Sequence, residues 1–366
     1  MEDIKIRLGL KSVVTQKNAI LVVIRVATAL ILFSVLAKAN VWLDATSNSL
    51  VAVGYRTLMF IAPLFFSFFG RRALTLSLGF MCAGVLMFFC TSVPPLMYMM
   101  ALLFAFGISV SGFLIKSEAA QTRDGAALNK IAINMGSCLA GGLMMVHALE
   151  VSSFAIIIIV LGIICVGLSN RLKTDEPIIK PPIKVSVGWS MIVTWAFAGF
   201  AIGLKLFAIF TIMPQSIIAH SGSLPVWFGW MLIWNSLIVI ALQIPIMRLI
   251  ELAGKHNMTV LMTLVLLGFV VLMFTDEFKV YTLLGALIWM LIMSVVECSL
   301  TQIDYYSVRF GTLFYKELAV GFGAGAAVLI MRVVPSHVNT ELIGILGIAL
   351  ISIWYLFNRK LLNTKV

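Results

Sequence analysis

Four charged side chains stand inside long apolar runs of this 366-residue chain: Arg25, Arg56, Lys205 and Glu297. A Lys or Arg near the centre of a bilayer costs about 2.5–3.5 kcal/mol on insertion scales, so each calls for a wet cavity or a charged partner. Three cations against one carboxylate describe a positive cavity suited to an organic anion, such as a carboxylate, a phosphate or an acidic conjugate. Arg25, Lys205 and Arg56 are therefore the candidate substrate-binding residues. Glu297 has two chemical uses: it can carry a proton as a coupling group, or serve as a fixed counter-ion to Arg25 or Lys205. Plainer readings stand beside these. Arg25 can snorkel to the inner surface, and Arg56 can snorkel outward or pair with Asp44.

A second constellation is repeated. Glu118, Arg123, Gly125 and Lys130 recur 186 positions later as Asp304, Arg309, Gly311 and Lys316. The interval is about half the chain, which implies two copies of one membrane unit. The acid five residues before each arginine can ion-pair with neighbouring loops and close a cytoplasmic gate. The alternative is a solvated turn carrying topogenic charge. Gly136, Gly141 and Gly142, and later Gly321, Gly323 and Gly325, would allow close helix approach, although plain packing explains them equally well.

Composition dictates the elements that position these groups. With 61% hydrophobic and 11% charged residues and a mean hydropathy of +1.09, the chain lies far from the mix of a soluble domain. A ruler of about 20 apolar residues per crossing gives spans near 19–39, 49–69, 73–91, 95–115, 131–148 and 152–169. The second set lies near 189–213, 226–247, 258–274, 280–300, 318–334 and 341–357. Backbone groups in lipid must pair within their own segment, and the runs lack the alternation of a barrel strand, so the spans should be helices. The expected fold is all-α and integral to the membrane, with twelve transmembrane helices in two pseudo-symmetric six-helix halves.

With the amino terminus inside, 20 of the 26 Lys and Arg fall on cytoplasmic segments, which places both termini in the cytoplasm. The net charge of +11 is then largely a topology signal, and no soluble basic face exists for nucleic acid. The divisions expected are a cytoplasmic amino terminus at 1–18, a six-helix bundle at 19–169, a proline-rich linker at 170–187, a second bundle at 188–357 and a cytoplasmic tail at 358–366. The first span is too long for a removable signal peptide and lacks its cleavage site. The five cysteines have no paired or metal-like spacing and read as packing residues. His147, His220, His256 and His337 fall near helix ends or in loops, so no metal or nucleophile constellation argues for an enzyme. No phosphate-cradling glycine loop is present, and neither ATP nor another cofactor is implied.

Twelve spans divided six and six, a central cytoplasmic loop and cytoplasmic termini resemble the major facilitator superfamily. In that family the loop between the second and third helices carries a Gly, acid, base, Gly, base pattern. Phe69, Gly70, Arg71 and Arg72 match its final part, while Ser67 and Pro63 replace the acid and first glycine. In the corresponding loop of the second half, Glu251, Gly254 and Lys255 keep acid, glycine and base. The resemblance adds Gly70, Arg71, Glu251 and Lys255 to Glu118, Arg123, Asp304 and Arg309 as expected gate residues. It also places the first, fourth, seventh and tenth helices around a transport path, onto which Arg25, Lys205 and Glu297 can face. Some organic-phosphate carriers of the family likewise use basic residues on the first and seventh helices. At ~1.5 Å per residue, Arg25 lies about 9 Å and Lys205 about 24 Å from the cytoplasmic end, so the two would bracket a solute.

The function this implies is secondary active transport of a small or medium-sized organic anion across a bacterial inner membrane, by alternating access and as a monomer. Proton-coupled export of a metabolite, siderophore or peptide is the expected direction. The rivals are import of an anionic nutrient and broad-range drug efflux. A non-transporting receptor or scaffold would have no reason to hold isolated cations at depth. The fifth span lacks the proline of the family's exporter signature, so that motif does not set the direction.

Overall fold

A computed structural model describes residues 16–43, 45–144, 150–172, 188–206, 212–222, 225, 227–334 and 336–363. The expected cytoplasmic amino terminus lies almost wholly outside them, as do most of the linker, Asp44 and His147. Every regular element among the described residues is helical. Contacts divide the chain into two compact units, Met1–Lys180 and Pro181–Val366.

In the first unit the helices are α1 (Gln16–Trp42), α2 (Ala45–Thr57), α3 (Ala62–Phe69), α4 (Ala73–Gly84), α5 (Pro94–Ala119), α6 (Arg123–Met144) and α7 (Val151–Asn170). In the second they are α8 (Trp189–Leu206), α9 (Ile212–Ser221), α10 (Trp227–Leu252), α11 (Asn257–Met273), α12 (Leu283–Arg309), α13 (Leu313–Val333) and α14 (Ser336–Asn363). Nine of the described helices are long and apolar enough to cross a membrane, and the shorter apolar stretches Val53–Phe69 and Ala73–Phe89 add to them. The fifth expected span falls on α6, and its last residues, 145–148, lie outside the described residues.

The second expected span is a broken helix. It runs as α2, a 3-10 segment at Leu58–Ile61, and then α3, which opens with Pro63 in its first turn. Proline has no N–H to give and its ring crowds the carbonyl four residues back, so a continuous α-helix cannot pass through this point unaltered. The third span likewise tightens into a 3-10 segment at Val85–Phe89. By contrast, α10 continues past Pro245.

The same packing scheme appears in both units. In the first, α1 packs on α6 and α7, α4 on α5 and α7, and α2 on α5. In the second, α8 packs on α13 and α14, α11 on α12 and α14, and α10 on α12. Each pairing in one unit has its counterpart in the other, with α1, α2, α4, α5, α6 and α7 answering to α8, α10, α11, α12, α13 and α14, so the sequence repeat is matched by a repeat of architecture.

Glycines draw the opening helix of each unit against its main partner. A Cβ on Gly136 of α6 would lie 2.5 Å from the Val26 carbonyl of α1. In the second unit a Cβ on Gly199 would lie 2.0 Å from the Lys316 carbonyl, and one on Gly323 would lie 2.1 Å from that of Phe200. Such contacts bring backbones together where lipid offers no hydrophobic drive to associate helices. Elsewhere buried polar groups join the helices. Ser294 donates to the Asn235 carboxamide at 2.8 Å, and Gln243 donates to the Cys298 carbonyl at 3.2 Å, tying α10 to α12. Asn358 of α14 donates to Thr194 of α8 at 3.0 Å.

Candidate functional site

In the first unit Arg25 projects from α1 into the packed helices and is 9% exposed. One guanidinium nitrogen lies 3.1 Å from where a Cβ on Gly112 of α5 would stand, so the missing side chain leaves it room. Arg25 then lines a cavity of about 20 Å³ with Val22, Ile115, Gly125, Leu128 and Asn129, above the ~10–15 Å³ that holds a water. Asn129 is 6% exposed, and its side-chain oxygen has no hydrogen-bond partner among the described residues. Sequence reasoning missed Asn129; its only signal was a carboxamide next to the repeated Lys130. Arg56 closes α2 just before the 3-10 break and lies 4.5 Å over the Tyr55 ring, half-buried. That geometry is a cation–π contact.

In the second unit Lys205 stands in the last turn of α8 and is 5% exposed. A Cβ on Gly268 of α11 would lie 3.2 Å from Lys205 Cε and 2.6 Å from Val296 Cγ1. The lysine stem therefore runs past a glycine to the neighbourhood of α12, at the residue preceding Glu297. Glu297 is partly buried, three residues after the Ser294 hydroxyl bonded to Asn235. Both deep cations thus sit on the opening helix of a unit beside a glycine of a neighbouring helix.

The expected gate residues meet different partners. Asp304 and Glu317 both pair with Lys316, whose side chain is 1% exposed, the Glu317 contact being 2.5 Å. Asp304 is thus engaged inside its own repeat, with the lysine that is the repeat's fourth member. Arg309 donates to the Tyr305 hydroxyl at 2.7 Å. In the first unit Glu118 accepts from Gln121 at 3.1 Å, and Arg123 is the first residue of α6. Glu251 accepts from Arg248 at 2.6 Å in an exposed pair within α10, and Lys255 is exposed. Gly70 and Gly254 have φ of 50° and 54°, a left-handed conformation that favours glycine in both loops. The Arg71 side chain lies outside the described residues.

The repeated segments share residue types but not helix boundaries. In the first copy α5 ends at Ala119 and Arg123 begins α6, whereas in the second Arg309 is still the last residue of α12. The turn is displaced by about one helical turn. Gly311, at φ 68°, sets the later turn: its N–H bonds to the Val308 carbonyl and that of Thr312 to the Ser307 carbonyl. This is the left-handed glycine stop of a helix. Gly125 is required for another reason, since a Cβ there would lie 2.2 Å from the Ala119 carbonyl. Among the described residues no group of His, Cys, Asp or Glu is placed to hold a metal ion.

No family model and no curated protein matches the chain. Solved structures do. The human organic anion transporter MFSD10 (TETRAN) aligns with a TM-score of 0.66 at 12% identity, covering 93% of this chain and all of the other. The E. coli fucose:proton symporter FucP aligns at 0.68 and 12%, covering 95% and 98%. A further structure of FucP, in an outward conformation, aligns at 0.68 and 13%, covering 93% and 98%. The chain has the fold of the major facilitator superfamily transporters, and it is a multi-pass membrane protein.

Proposed function

We propose that this protein is a secondary active transporter that carries a small or medium-sized organic anion across a bacterial inner membrane by alternating access. The observation that carries the reading is the burial of two cations, Arg25 and Lys205, at 9% and 5% exposure on membrane-spanning helices. Keeping such groups charged in a hydrocarbon environment is costly, and a bound anion offsets that cost. Arg56 adds a third positive group. Glu297, near the path of the Lys205 stem, is the proton-coupling carboxylate, and the direction is export of a metabolite, siderophore or peptide. Glu118, Arg123, Asp304, Arg309, Gly70, Arg71, Glu251 and Lys255 form the cytoplasmic gate, and the protein works as a monomer with both termini inside. Within this fold an organic anion transporter and a proton symporter both have precedent.

The test is thermal stabilisation of the detergent-purified protein by panels of organic anions and cations, in wild type and in Lys205→Ala. An anion that raises the melting temperature only when Lys205 is present supports the reading. Stabilisation by cations alone, or equal anion effects in both proteins, overturns it.

A further inference from the structure

We propose that α9 is a releasable strap across one end of the second unit, held down by a two-point clasp and able to open while the helices beneath it stay packed. The inference concerns a motion inside that unit and does not depend on the transport reading.

The strap and the segment it meets are built in different ways. Among the described residues α9 takes part in none of the main helix pairings of the second unit. It is a helix of 10 residues, and its grip on the apolar core is Ile212, Met213 and Ile217, all fully buried. The segment facing it, residues 274–282 between α11 and α12, is instead fixed by its own backbone. The Lys279 N–H bonds to the Asp276 carbonyl at 2.9 Å, and the Thr282 N–H to the Lys279 carbonyl at 2.8 Å. Thr282 then caps α12 by accepting from the Gly285 N–H at 3.2 Å. A Cβ on Gly285 would lie 2.0 Å from the Phe278 carbonyl, so the turn folds back closely on that helix. Lys279 is held at φ 50°, a left-handed conformation that a side chain disfavours and that persists only where the surroundings over-determine it.

This rigid turn reaches α9 through two side chains. Ser216 donates to Asp276 Oδ1 at 2.6 Å. The His220 ring stacks on Tyr281, with centroids 4.5 Å apart and planes 13° from parallel. Ser216 and His220 are four residues apart and so share one face of α9. The imidazole Nδ1–H donates to the Ser216 carbonyl at 2.9 Å, which aims the ring. Asp276 and His220 are exposed, and water competes for groups in such positions, so each contact adds only modestly to the closed state. A short helix with few buried side chains and solvated clasps is the kind of element that opens locally, ahead of the unit as a whole.

The experiment is peptide-resolved hydrogen exchange on the purified full chain, following the amides of α9 against those of α11. Ser216→Ala and Asp276→Ala remove the same bond from opposite sides, and each is expected to speed exchange in α9 about fivefold. Tyr281→Ala, which removes the stack, is expected to do so by a similar factor. Exchange in α11 should stay as in the unmodified protein. The double variant Ser216→Ala, Asp276→Ala should exchange no faster than the faster of its two parents, because they share one bond. Ser216→Ala touches the strap alone, so the test stands even if the turn variants fail to fold. Unchanged exchange of α9 in Ser216→Ala overturns the proposal. Parallel acceleration of α9 and α11 also overturns it, since the whole unit is then loosened and the strap does not open by itself.

Discussion

Replacing Lys316 by methionine should be among the most destabilising single changes in the second unit. The ammonium is 1% exposed and holds Asp304 and Glu317, whose side chains are 20% and 10% exposed. Methionine conserves much of the lysine stem, so packing is nearly preserved and the lost charge dominates. Two carboxylates then remain in a poorly solvated site without their shared cation, and breaking a buried pair in this way costs about 3–5 kcal/mol. The cost belongs to the stranded acids, so it should be largely recovered when they are neutralised too. The triple variant Lys316→Met, Asp304→Asn, Glu317→Gln is expected within about 1–2 kcal/mol of wild type, as when buried ion pairs give way to neutral groups of similar volume. SDS-induced unfolding followed by tryptophan fluorescence reads this directly. Trp195 is a suitable reporter, since its ring centroid lies 6.2 Å from that of Phe310, which follows Arg309 at the end of α12. A cost below about 1 kcal/mol for Lys316→Met, the level of a solvated surface pair, would refute the argument. So would a triple variant less stable than the single one.

Two further outcomes follow from the packing. Gly199→Ala places a Cβ 2.0 Å from the Lys316 carbonyl, where backbone must move, and should cost about 1–3 kcal/mol in the same unfolding assay; Gly142→Ala, with nothing within 4 Å, should cost nothing. Gln243→Leu removes the bond to the Cys298 carbonyl and the acceptor offered to Thr301, and should lower stability by about 0.6–2 kcal/mol.

The chain's apolar runs made the helices legible, because a bilayer demands long uninterrupted segments and little else. What happens inside a segment was less legible. Pro63 stood in the second expected span, yet a count of apolar residues registers it only as tolerable, whereas the backbone registers a missing donor and breaks the helix at Leu58–Ile61. The deep cations were visible from their type alone, since few residues so costly are placed in lipid without cause. Asn129 was invisible because a carboxamide in a helix has many ordinary uses. Only its burial and its unpartnered oxygen distinguish it. Glu317 was missed for a related reason: its repeat mate is Ile131, so a search for matching residues passes over it.

That mismatch separates what the duplication conserves from what it leaves free. Helix pairing follows one plan in both units, as expected if each half must solve the same packing problem in lipid. The polar chemistry does not follow it. Asp304 shares Lys316 with a second acid that has no counterpart in the first copy, and the turn that follows is displaced by about one helical turn. Arg25 and Lys205 are not counterparts either: Gly136 of α6 meets Val26 of α1 where Gly323 of α13 meets Phe200 of α8, which makes Gly199, and not Lys205, the counterpart of Arg25. The duplication therefore governs how the helices pack within each unit and leaves the buried charges free to differ.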